Sequence, residues 1–374
     1  MGLFKQKQKS CLGIDIGTSS IKVVQLKHNE ERYKLETYGE LQTYGYLEKL
    51  NDPVQTKSLK ILESQVVEMI RRIIRESEAS AKQTIMSIPV FSSFISVIDL
   101  PPMSEKELPR ALIFEAKRHI PIALSEVRID WKIISKEKTT SSKPYKHSVL
   151  SFLQSSSKKD LFKFRVLLVA VPKEVITKYL RIAKTLGLKL LALELESFSY
   201  IRSLIGNDQS TSCILDFGAR STSFSIADKG FIQMSHSLDI AGTELTKTLS
   251  HGAGVDFRRA EMYKRERGLD KKEMSEGREI RDILLTLIDQ VILEMKRIID
   301  SYQNKTKRKI TKLVLSGGSS NLIGLEEYLK KELKIDVMVG NPWARVSYLP
   351  VLEPALKEIA SKFAVAIGLA MREI

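Results

Sequence analysis

The sequence predicts an α/β fold built from two similar halves. One short pattern occurs twice: residues 11–26, CLGIDIGTSSIKVVQL, and residues 213–230, CILDFGARSTSFSIADKG, each contain an apolar strand, an Asp-x-Gly turn with small hydroxyl residues, and a second strand. Long amphipathic segments lie between and after these copies, and the clearest are residues 58–77 and 282–304. Repetition of a strand–turn–strand pattern with intervening helices indicates two copies of one α/β unit.

The turn of the first copy has the chemistry of a phosphate-binding tip. Gly17 allows the backbone to approach a ligand closely, and Thr18, Ser19 and Ser20 add hydroxyl donors to the backbone amides. Asp15 could hold water on a magnesium ion, and Lys22 could add a point charge. An ordinary hairpin with an Asp-x-Gly turn explains this stretch equally well when it is considered alone.

A third glycine turn strengthens the phosphate interpretation. Gly317 and Gly318 follow an apolar strand and would let the backbone lie flat against a nucleotide base. The three tips, at 15–22, 216–222 and 316–322, therefore predict two halves that close on one ligand. The sequence contains neither a P-loop motif nor a Rossmann glycine fingerprint.

An extra β-α-β-β-α subdomain is predicted at residues 93–187. A strand ends at two prolines, Ser104 and Glu107 form a capping-box pattern, and a helix then runs to His119. Its hairpin is interrupted at 136–164 by a Ser- and Lys-rich stretch that we expect to form a long loop. The remaining predicted pieces are 1–92 and 188–210 for the first half, 211–362 for the second half, and a C-terminal helix at 363–374 that returns to the first half.

Composition limits the function classes. The 374 residues carry a net charge of +15, which favours anionic partners but also accounts for simple solubility, because the cations are spread along the chain. Aromatic residues, at 7%, do not alternate with the basic runs, so no nucleic-acid groove is predicted. Cys11 and Cys213 fit buried strand positions in a reduced cytoplasmic protein better than a redox pair. No apolar run is long enough to cross a bilayer, so any membrane role is expected to be peripheral.

The motifs together resemble a known superfamily. The stretches DIGTSSIKVV, DFGARSTSF, AEMYK, EMKR, SGGSSNLIGL and AVAIGLA resemble those of the actin-like ATPases, whose fold is ribonuclease H-like. Two further features, IDLPPMSEKELPRALIFEAKRHIPIALSEVRIDWKI and the basic N-terminal decapeptide, resemble the PilM family of type IV pilus assembly components, which is related to FtsA. The resemblance covers nearly the whole chain.

This resemblance implies an ATP and Mg²⁺ site between the halves. Residues matching the first phosphate motif are Asp15, Gly17, Thr18, Ser19, Ser20 and Lys22, and those matching the second are Asp216, Gly218 and Thr222. Gly317, Gly318 and Ser319 match the adenosine motif, while Glu261 and Lys264 match positions that face the nucleoside, in a subdomain at about 246–310. Asp15 and Asp216 would hold the metal through water.

Hydrolysis is left open by the same comparison. Glu196 stands where bacterial actin relatives carry a water-positioning acid and is the candidate catalytic residue. The sequence departs from the superfamily at 241–243, where AGT replaces a double glycine, and at Arg220 and Ser221, which are expected to add bulk beside the second tip. ATP binding with weak or absent ATPase activity is the resulting expectation.

The family resemblance also implies partners. Its members act as adaptors that receive the N-terminal tail of a PilN-like inner-membrane protein in a groove at the extra subdomain, and so connect indirectly to PilO and the assembly ATPase. A cytoplasmic location at the inner-membrane face follows, with membrane association through partners. A type II secretion system in place of a pilus, and a homo-oligomer, both remain open.

Two other functions are compatible with the superfamily. A small-molecule kinase would need an aspartate base near the cleft, and the candidates Asp99 and Asp130 fall in the extra subdomain without a supporting motif. An FtsA-like filament protein would be expected to carry a C-terminal membrane helix, and the sequence ends at Ile374 without one.

Overall fold

The computed structural model describes residues 10–29, 32–43, 62–138, 161–270 and 275–372. The chain divides into two compact units. The larger unit comprises Met1–Phe91 and Lys178–Ile374, and the smaller unit comprises Ser92–Thr177.

The first sheet of the larger unit has six strands in the order β14-β3-β2-β1-β4-β8. Numbered along the chain, they are β1 (Ser10–Ile16), β2 (Ser20–Asn29), β3 (Arg32–Gln42), β4 (Gln83–Ile88), β8 (Lys189–Leu195) and β14 (Val346–Ser347). Strands β1, β2 and β3 pair antiparallel, whereas β1 pairs parallel with β4 and β4 pairs parallel with β8.

The second sheet repeats this arrangement. Its strands are β9 (Ser212–Phe217), β10 (Thr222–Asp228), β11 (Phe231–Leu238), β12 (Lys312–Ser316) and β13 (Asp336–Val339), in the order β11-β10-β9-β12-β13. Again three antiparallel strands are followed by two parallel ones. Apart from the short edge strand β14, the two sheets have the same order and directions, so the predicted pair of similar halves is confirmed.

Helices pack on these sheets, and the last of them, at the C-terminus, is buried along its whole length. They are α1 (Glu63–Glu76), α4 (Glu196–Tyr200), α5 (Gly242–Gly252), α6 (Phe257–Glu266), α7 (Ser275–Thr306), α8 (Leu325–Leu333), α9 (Glu353–Ile359) and α10 (Ala364–Ala370). Helix α1 buries Val66, Met69, Ile70 and Ile73, the helical spacing that the sequence shows, while residues 58–61 of the predicted helix lie outside the described residues. Helix α7 begins earlier than the predicted Asp282.

The C-terminal helix α10 packs against strand β1 and helix α4. A Cβ on Gly13 of β1 would lie 2.1 Å from the Ala366 carbonyl oxygen, and a Cβ on Gly368 would lie 2.1 Å from the Ser199 carbonyl oxygen. Both positions therefore require glycine, because the backbones of α10, β1 and α4 approach too closely for a side chain. Arg202 adds a hydrogen bond from Nη1 to the Gly368 carbonyl oxygen at 2.6 Å.

The smaller unit is a three-stranded antiparallel sheet, in the order β5-β7-β6, with one helix packed on it. Its elements are β5 (Phe94–Met103), α2 (Leu108–His119), β6 (Val127–Lys138) and β7 (Phe162–Pro172), and α3 (Lys173–Thr185) starts here and ends in the larger unit. Helix α2 packs through Leu108, Ala111, Leu112 and Ala116. Before it, the Glu107 carboxylate accepts hydrogen bonds from the Ser104 N–H and hydroxyl, at 2.8 and 2.7 Å.

Two boundaries differ from those expected. The smaller unit ends at Thr177 rather than at residue 187, because the later part of α3 groups with the larger unit. Strands β6 and β7 extend into both ends of the expected 136–164 loop, and residues 139–160 lie outside the described residues. Within the described ranges, no helix has both the length and the apolarity to cross a membrane.

Candidate functional site

A cavity of about 330 Å³ opens in the larger unit where the predicted tips converge. The turns after β1, β9 and β12 supply three of its walls, and helices α4 and α6 supply others. The predicted residues that line it are Asp15, Gly17, Thr18, Ser19, Ser20, Lys22, Glu196, Asp216, Gly218, Glu261, Lys264, Gly317, Gly318 and Ser319. Segments separated by more than three hundred positions along the chain thus meet at one site.

The first tip holds a buried carboxylate. Asp15 lies opposite Lys22 in the β1–β2 pair, with Lys22 Nζ 3.4 Å from Asp15 Oδ2. Ser87, near the end of β4, donates its hydroxyl proton to Asp15 Oδ1 at 2.9 Å. These two contacts fix the carboxylate next to the polar turn of Gly17 to Ser20.

The second and third tips touch each other. Gly317 has φ +85° and ψ 162°, a backbone region that essentially only glycine adopts. A Cβ there would lie 2.5 Å from the Phe217 carbonyl oxygen and 2.6 Å from Asp216 Oδ1. The Gly218 carbonyl oxygen also accepts a hydrogen bond from Ser319 Oγ at 3.2 Å. Gly317 is therefore needed for the turn to lie directly against Asp216.

Thr222 is the predicted site residue that the structure places elsewhere. It is fully buried, and its hydroxyl donates to the Ile240 carbonyl oxygen at 2.6 Å, so it stabilises β10 instead of lining the cavity. Its neighbour Ser221 lines the cavity. Arg220 is exposed and is not among the lining residues, so the expected bulk beside the second tip is confined to Ser221.

Glu261 and Lys264 line the cavity but bind each other. Lys264 Nζ donates to Glu261 Oε2 at 2.6 Å, to Thr246 Oγ1 at 2.7 Å and to the Gly242 carbonyl oxygen at 2.9 Å. Burial lowers the pKa of the Lys264 ammonium. Burial opposes ionisation of Glu261 as well, but the charge and hydrogen bond of Lys264, together with hydrogen bonds from Thr246 and Arg265, leave the pKa of that carboxyl below its usual value. The pair thus forms a pre-organised polar edge of the cavity.

Carboxyl groups are crowded on the floor of the cavity. Burial, together with the charges of Asp15 and Asp216, raises the pKa of Glu196 well above its usual value, although Glu196 Oε2 accepts a hydrogen bond from the Val90 N–H at 3.2 Å. Burial also raises the pKa of Asp216 to about 6, with Asp15 adding to the effect. Asp15, Glu196 and Asp216 therefore line one cavity together with the ammonium of Lys22. Among the described residues, no three His, Cys, Asp or Glu side chains are grouped closely enough to hold a metal ion directly, so a cation here would have to be held partly through water.

Sequence reasoning missed several lining residues. Tyr200 is almost fully buried and shares a hydrogen bond with Asp216, yet it lies in an apolar run that carries no motif. Arg265 lines the cavity and donates to Glu261 Oε1 at 2.7 Å. Its position directly after Lys264 on the lining helix is the signal that could have identified it.

Residues considered for other chemistry do not join the site. Asp99 pairs with Arg165 at 3.1 Å, Asp130 accepts from the Trp131 N–H at 2.9 Å, and neither belongs to the described residues that line the cavity. Burial raises the pKa of the Cys11 thiol to about 11 and that of Cys213 further, so both thiols are held in the unreactive protonated form.

Comparison with known proteins supports the same fold. A family profile described as type IV pilus assembly protein PilM matches residues 13–374. Among solved structures, the chain is similar to the PilM-PilN type IV pilus biogenesis complex, with 22% identity, a TM-score of 0.77, and coverage of 97% of this chain and 98% of that one. It is also similar to MreB5 of Spiroplasma citri bound to ADP, with 12% identity, a TM-score of 0.53, and coverage of 96% and 94%.

A sequence match to a cell-division protein is shorter. FtsA of Staphylococcus epidermidis is 20% identical over 217 residues, which are 52% of this chain and 46% of that protein. The chain therefore spans about half the length of the FtsA relative that it matches. These similarities establish the actin-like fold of the chain.

Proposed function

This chain belongs to the PilM family of type IV pilus assembly proteins, and on that premise we propose that it is a nucleotide-binding adaptor of a pilus platform at the cytoplasmic face of the inner membrane. The larger unit would bind ATP with Mg²⁺, and the smaller unit would bind the N-terminal tail of a PilN-like membrane protein. The observation that carries the nucleotide part is the convergence of three glycine-bearing tips on one cavity.

Each wall of the cavity suits one part of the nucleotide. Gly17 to Ser20 line the cavity, and their amides and hydroxyls would donate to phosphate oxygens, with Lys22 adding positive charge. Gly317 and Gly318 line the same cavity as the polar edge formed by Glu261 and Lys264, and the backbone at Gly318, where a Cβ would meet no atom within 4 Å, leaves open space that suits a base. Bound Mg²⁺ would neutralise phosphate charge, and Asp15 and Asp216 are the residues that would hold its water ligands.

Turnover is proposed to be slow. Glu196 is the side chain that could orient a water molecule, but its Oε2 already accepts a hydrogen bond from the Val90 N–H at 3.2 Å, so the carboxylate is not free to serve the water alone. An adaptor needs the nucleotide to hold two halves together, and that role does not require rapid hydrolysis.

The partner assignment comes from the similar solved protein, which was captured with PilN. In the present chain, β5 and β6 are the two edge strands of the three-stranded sheet, and an extended peptide can add to such an edge through backbone hydrogen bonds. Contact with PilO and the assembly ATPase would then be indirect. A pilus is favoured over a type II secretion system because the matching family profile is that of a pilus protein.

Two binding measurements test the proposal. Millimolar ATP or ADP with Mg²⁺ should raise the melting temperature of the full chain, and a chelator should abolish the shift, because a ligand that binds only the folded state stabilises it. A labelled N-terminal peptide of the organism's PilN-like protein should bind in fluorescence anisotropy, whereas a scrambled peptide should not. The absence of any magnesium-dependent shift would refute the nucleotide site, and the absence of peptide binding would refute the adaptor role.

A further inference from the structure

Helix α2 of the smaller unit carries two different stripes. The residues at 108, 111, 112 and 116 are buried against the sheet and account for the folding of the helix. The opposite stripe is exposed and consists of Arg110, Ile113, Phe114, Lys117 and Arg118. The spacing of three and four residues places these five side chains next to one another on the helix surface.

The centre of the exposed stripe is apolar. Ile113 is 57% exposed and Phe114 is 39% exposed, and neither is needed for the core that the other side of α2 forms. Two adjacent large apolar side chains in the middle of a charged helix face are the pattern of an interaction surface.

Cations surround this apolar pair. Arg110 lies one turn before Phe114, and Lys117 lies one turn after Ile113, so both ends of the pair are positively charged. Arg118 Nη1 lies 3.4 Å from Glu115 Oε1, but the Glu115 side chain is mostly buried. The charges that the stripe exposes to solvent are therefore the positive ones. An amphipathic helix with lysine and arginine around large apolar residues is typical of helices that lie on an anionic membrane surface.

From these observations, we propose that the exposed α2 stripe docks directly on an anionic lipid surface. A helix face is convex and suits a plane better than it suits an extended peptide, for which the edges of β5 and β6 are available. The contact would supplement attachment through a membrane partner, and it requires no nucleotide.

The smaller unit contains a natural reporter for this contact. The chain has two tryptophans, of which Trp343 is 1% exposed and Trp131 is 38% exposed. Ile129, Trp131 and Ile133 are two residues apart along β6, and side chains at that spacing point to the same face of a sheet. Ile129 and Ile133 pack against the core under α2, so Trp131 lies on the face of the sheet that α2 covers. Lipid contact at this face should shift Trp131 emission to shorter wavelength, while Trp343 contributes a constant background.

The test uses the full chain with lipid vesicles. Vesicles containing phosphatidylglycerol should co-sediment the protein and blue-shift its emission, vesicles of phosphatidylcholine alone should do neither, and high salt should reverse the binding. Each cation near an anionic surface contributes about a fivefold change in partitioning. The double variant Arg110→Glu/Lys117→Glu should therefore lose at least about 25-fold.

Two further variants control for charge and identify the apolar contribution. Lys331→Glu/Lys357→Glu makes the same change in net charge on exposed helices of the larger unit and should bind vesicles within a fewfold of wild type. Ile113→Ser/Phe114→Ser should weaken vesicle binding while the protein keeps a cooperative melting transition, because neither side chain belongs to the core under α2.

Two results would overturn the proposal. One is equal vesicle binding by the two charge-reversal variants, which would reflect net charge alone. The other is no vesicle binding by wild type; loss of PilN-peptide binding in the α2 variants would then assign the stripe to a protein partner. Nucleotide-dependent melting shifts are measured separately, so failure of the nucleotide site cannot be confused with either result.

Discussion

Replacing Gly317 with alanine tests the geometry that joins two of the tips. Gly317 lies between β12 and the following turn, with φ +85° and ψ 162°. An alanine in this region carries a backbone strain of about 1–3 kcal/mol. Its methyl group would also lie 2.5 Å from the Phe217 carbonyl oxygen, which is backbone and cannot move aside as a flexible side chain would.

The combined effect should appear in both stability and ligand binding. We expect Gly317→Ala to lower the free energy of unfolding by about 2–4 kcal/mol, the strain plus the cost of relieving the contact. Relief requires the turn to move away from Asp216, whose Oδ1 would be 2.6 Å from the new methyl group. Nucleotide affinity should therefore fall by at least about tenfold, equivalent to about 1.4 kcal/mol.

The next residue provides a matched control. Gly318 has no heavy atom within 4 Å of its ideal Cβ position and is not among the glycines with positive φ. Gly318→Ala should change the unfolding free energy by no more than about 0.5 kcal/mol, or increase it slightly by restricting the unfolded chain. Urea denaturation of both variants measures the difference in stability. Nucleotide titration compares Gly317→Ala with wild type only, because Gly318 itself lines the cavity. Equal stability of the two variants would show that the conformation at Gly317 is not required.

Two further substitutions test the electrostatics of the larger unit. Glu194→Ala should lower the unfolding free energy by about 3–5 kcal/mol in chemical denaturation, because the buried Glu194 carboxylate accepts hydrogen bonds from Arg202 Nη1 and Nη2 at 2.8 and 2.9 Å. Glu76→Ala, which removes an exposed ion pair with Arg72, should cost only about 0.5 kcal/mol. Similar losses in the two variants would contradict the burial argument. Hydrogen bonds from Lys312 and Ser210 hold the pKa of Asp208 at about 2, below its ordinary 3.8. The ionised Asp208 therefore stabilises the fold fully above pH 3.8, and this contribution is lost as the pH falls through 2. Lys312→Gln should thus raise the Asp208 pKa towards 3.8 in an NMR titration and cost about 0.5 kcal/mol at pH 7, and an unchanged pKa would refute the assignment.

The repeated halves could be predicted because their signal is local. Alternating apolar residues, an Asp-x-Gly turn and a second strand lie within about sixteen residues, and each feature has a direct backbone cause. The same holds for the glycines at 317 and 318, since they follow a buried strand. Residues from these three stretches meet in one cavity because equivalent strands of two like sheets end at equivalent places.

Side-chain direction at the tips could not be predicted in the same way. The sequence offers Ser221 and Thr222 as adjacent hydroxyls, and only the β10 register decides that Ser221 faces the cavity while Thr222 bonds to Ile240. The three-residue spacing of Glu261 and Lys264 permits their pairing on α6, but the further contacts of Lys264 Nζ with Thr246 Oγ1 and with the Gly242 carbonyl oxygen reach a different helix. Such contacts join residues whose separation in the sequence gives no spacing signal.

The C-terminal helix illustrates how remote contacts support the cavity. The absence of a side chain at Gly13 lets α10 pack directly against β1, which carries Asp15. The absence of a side chain at Gly368 lets α4, which carries Glu196, pack directly against α10. Val365 of the same helix lines the cavity. The sequence predicts that this apolar segment returns to the first half, but only the structure shows that it backs both carboxyl-bearing elements. Since α10 touches both β1 and α4 through backbone-to-backbone contacts at these two glycines, the spacing between Asp15 and Glu196 depends on how α10 packs. A larger residue at either glycine would therefore alter the cavity floor without contacting a ligand.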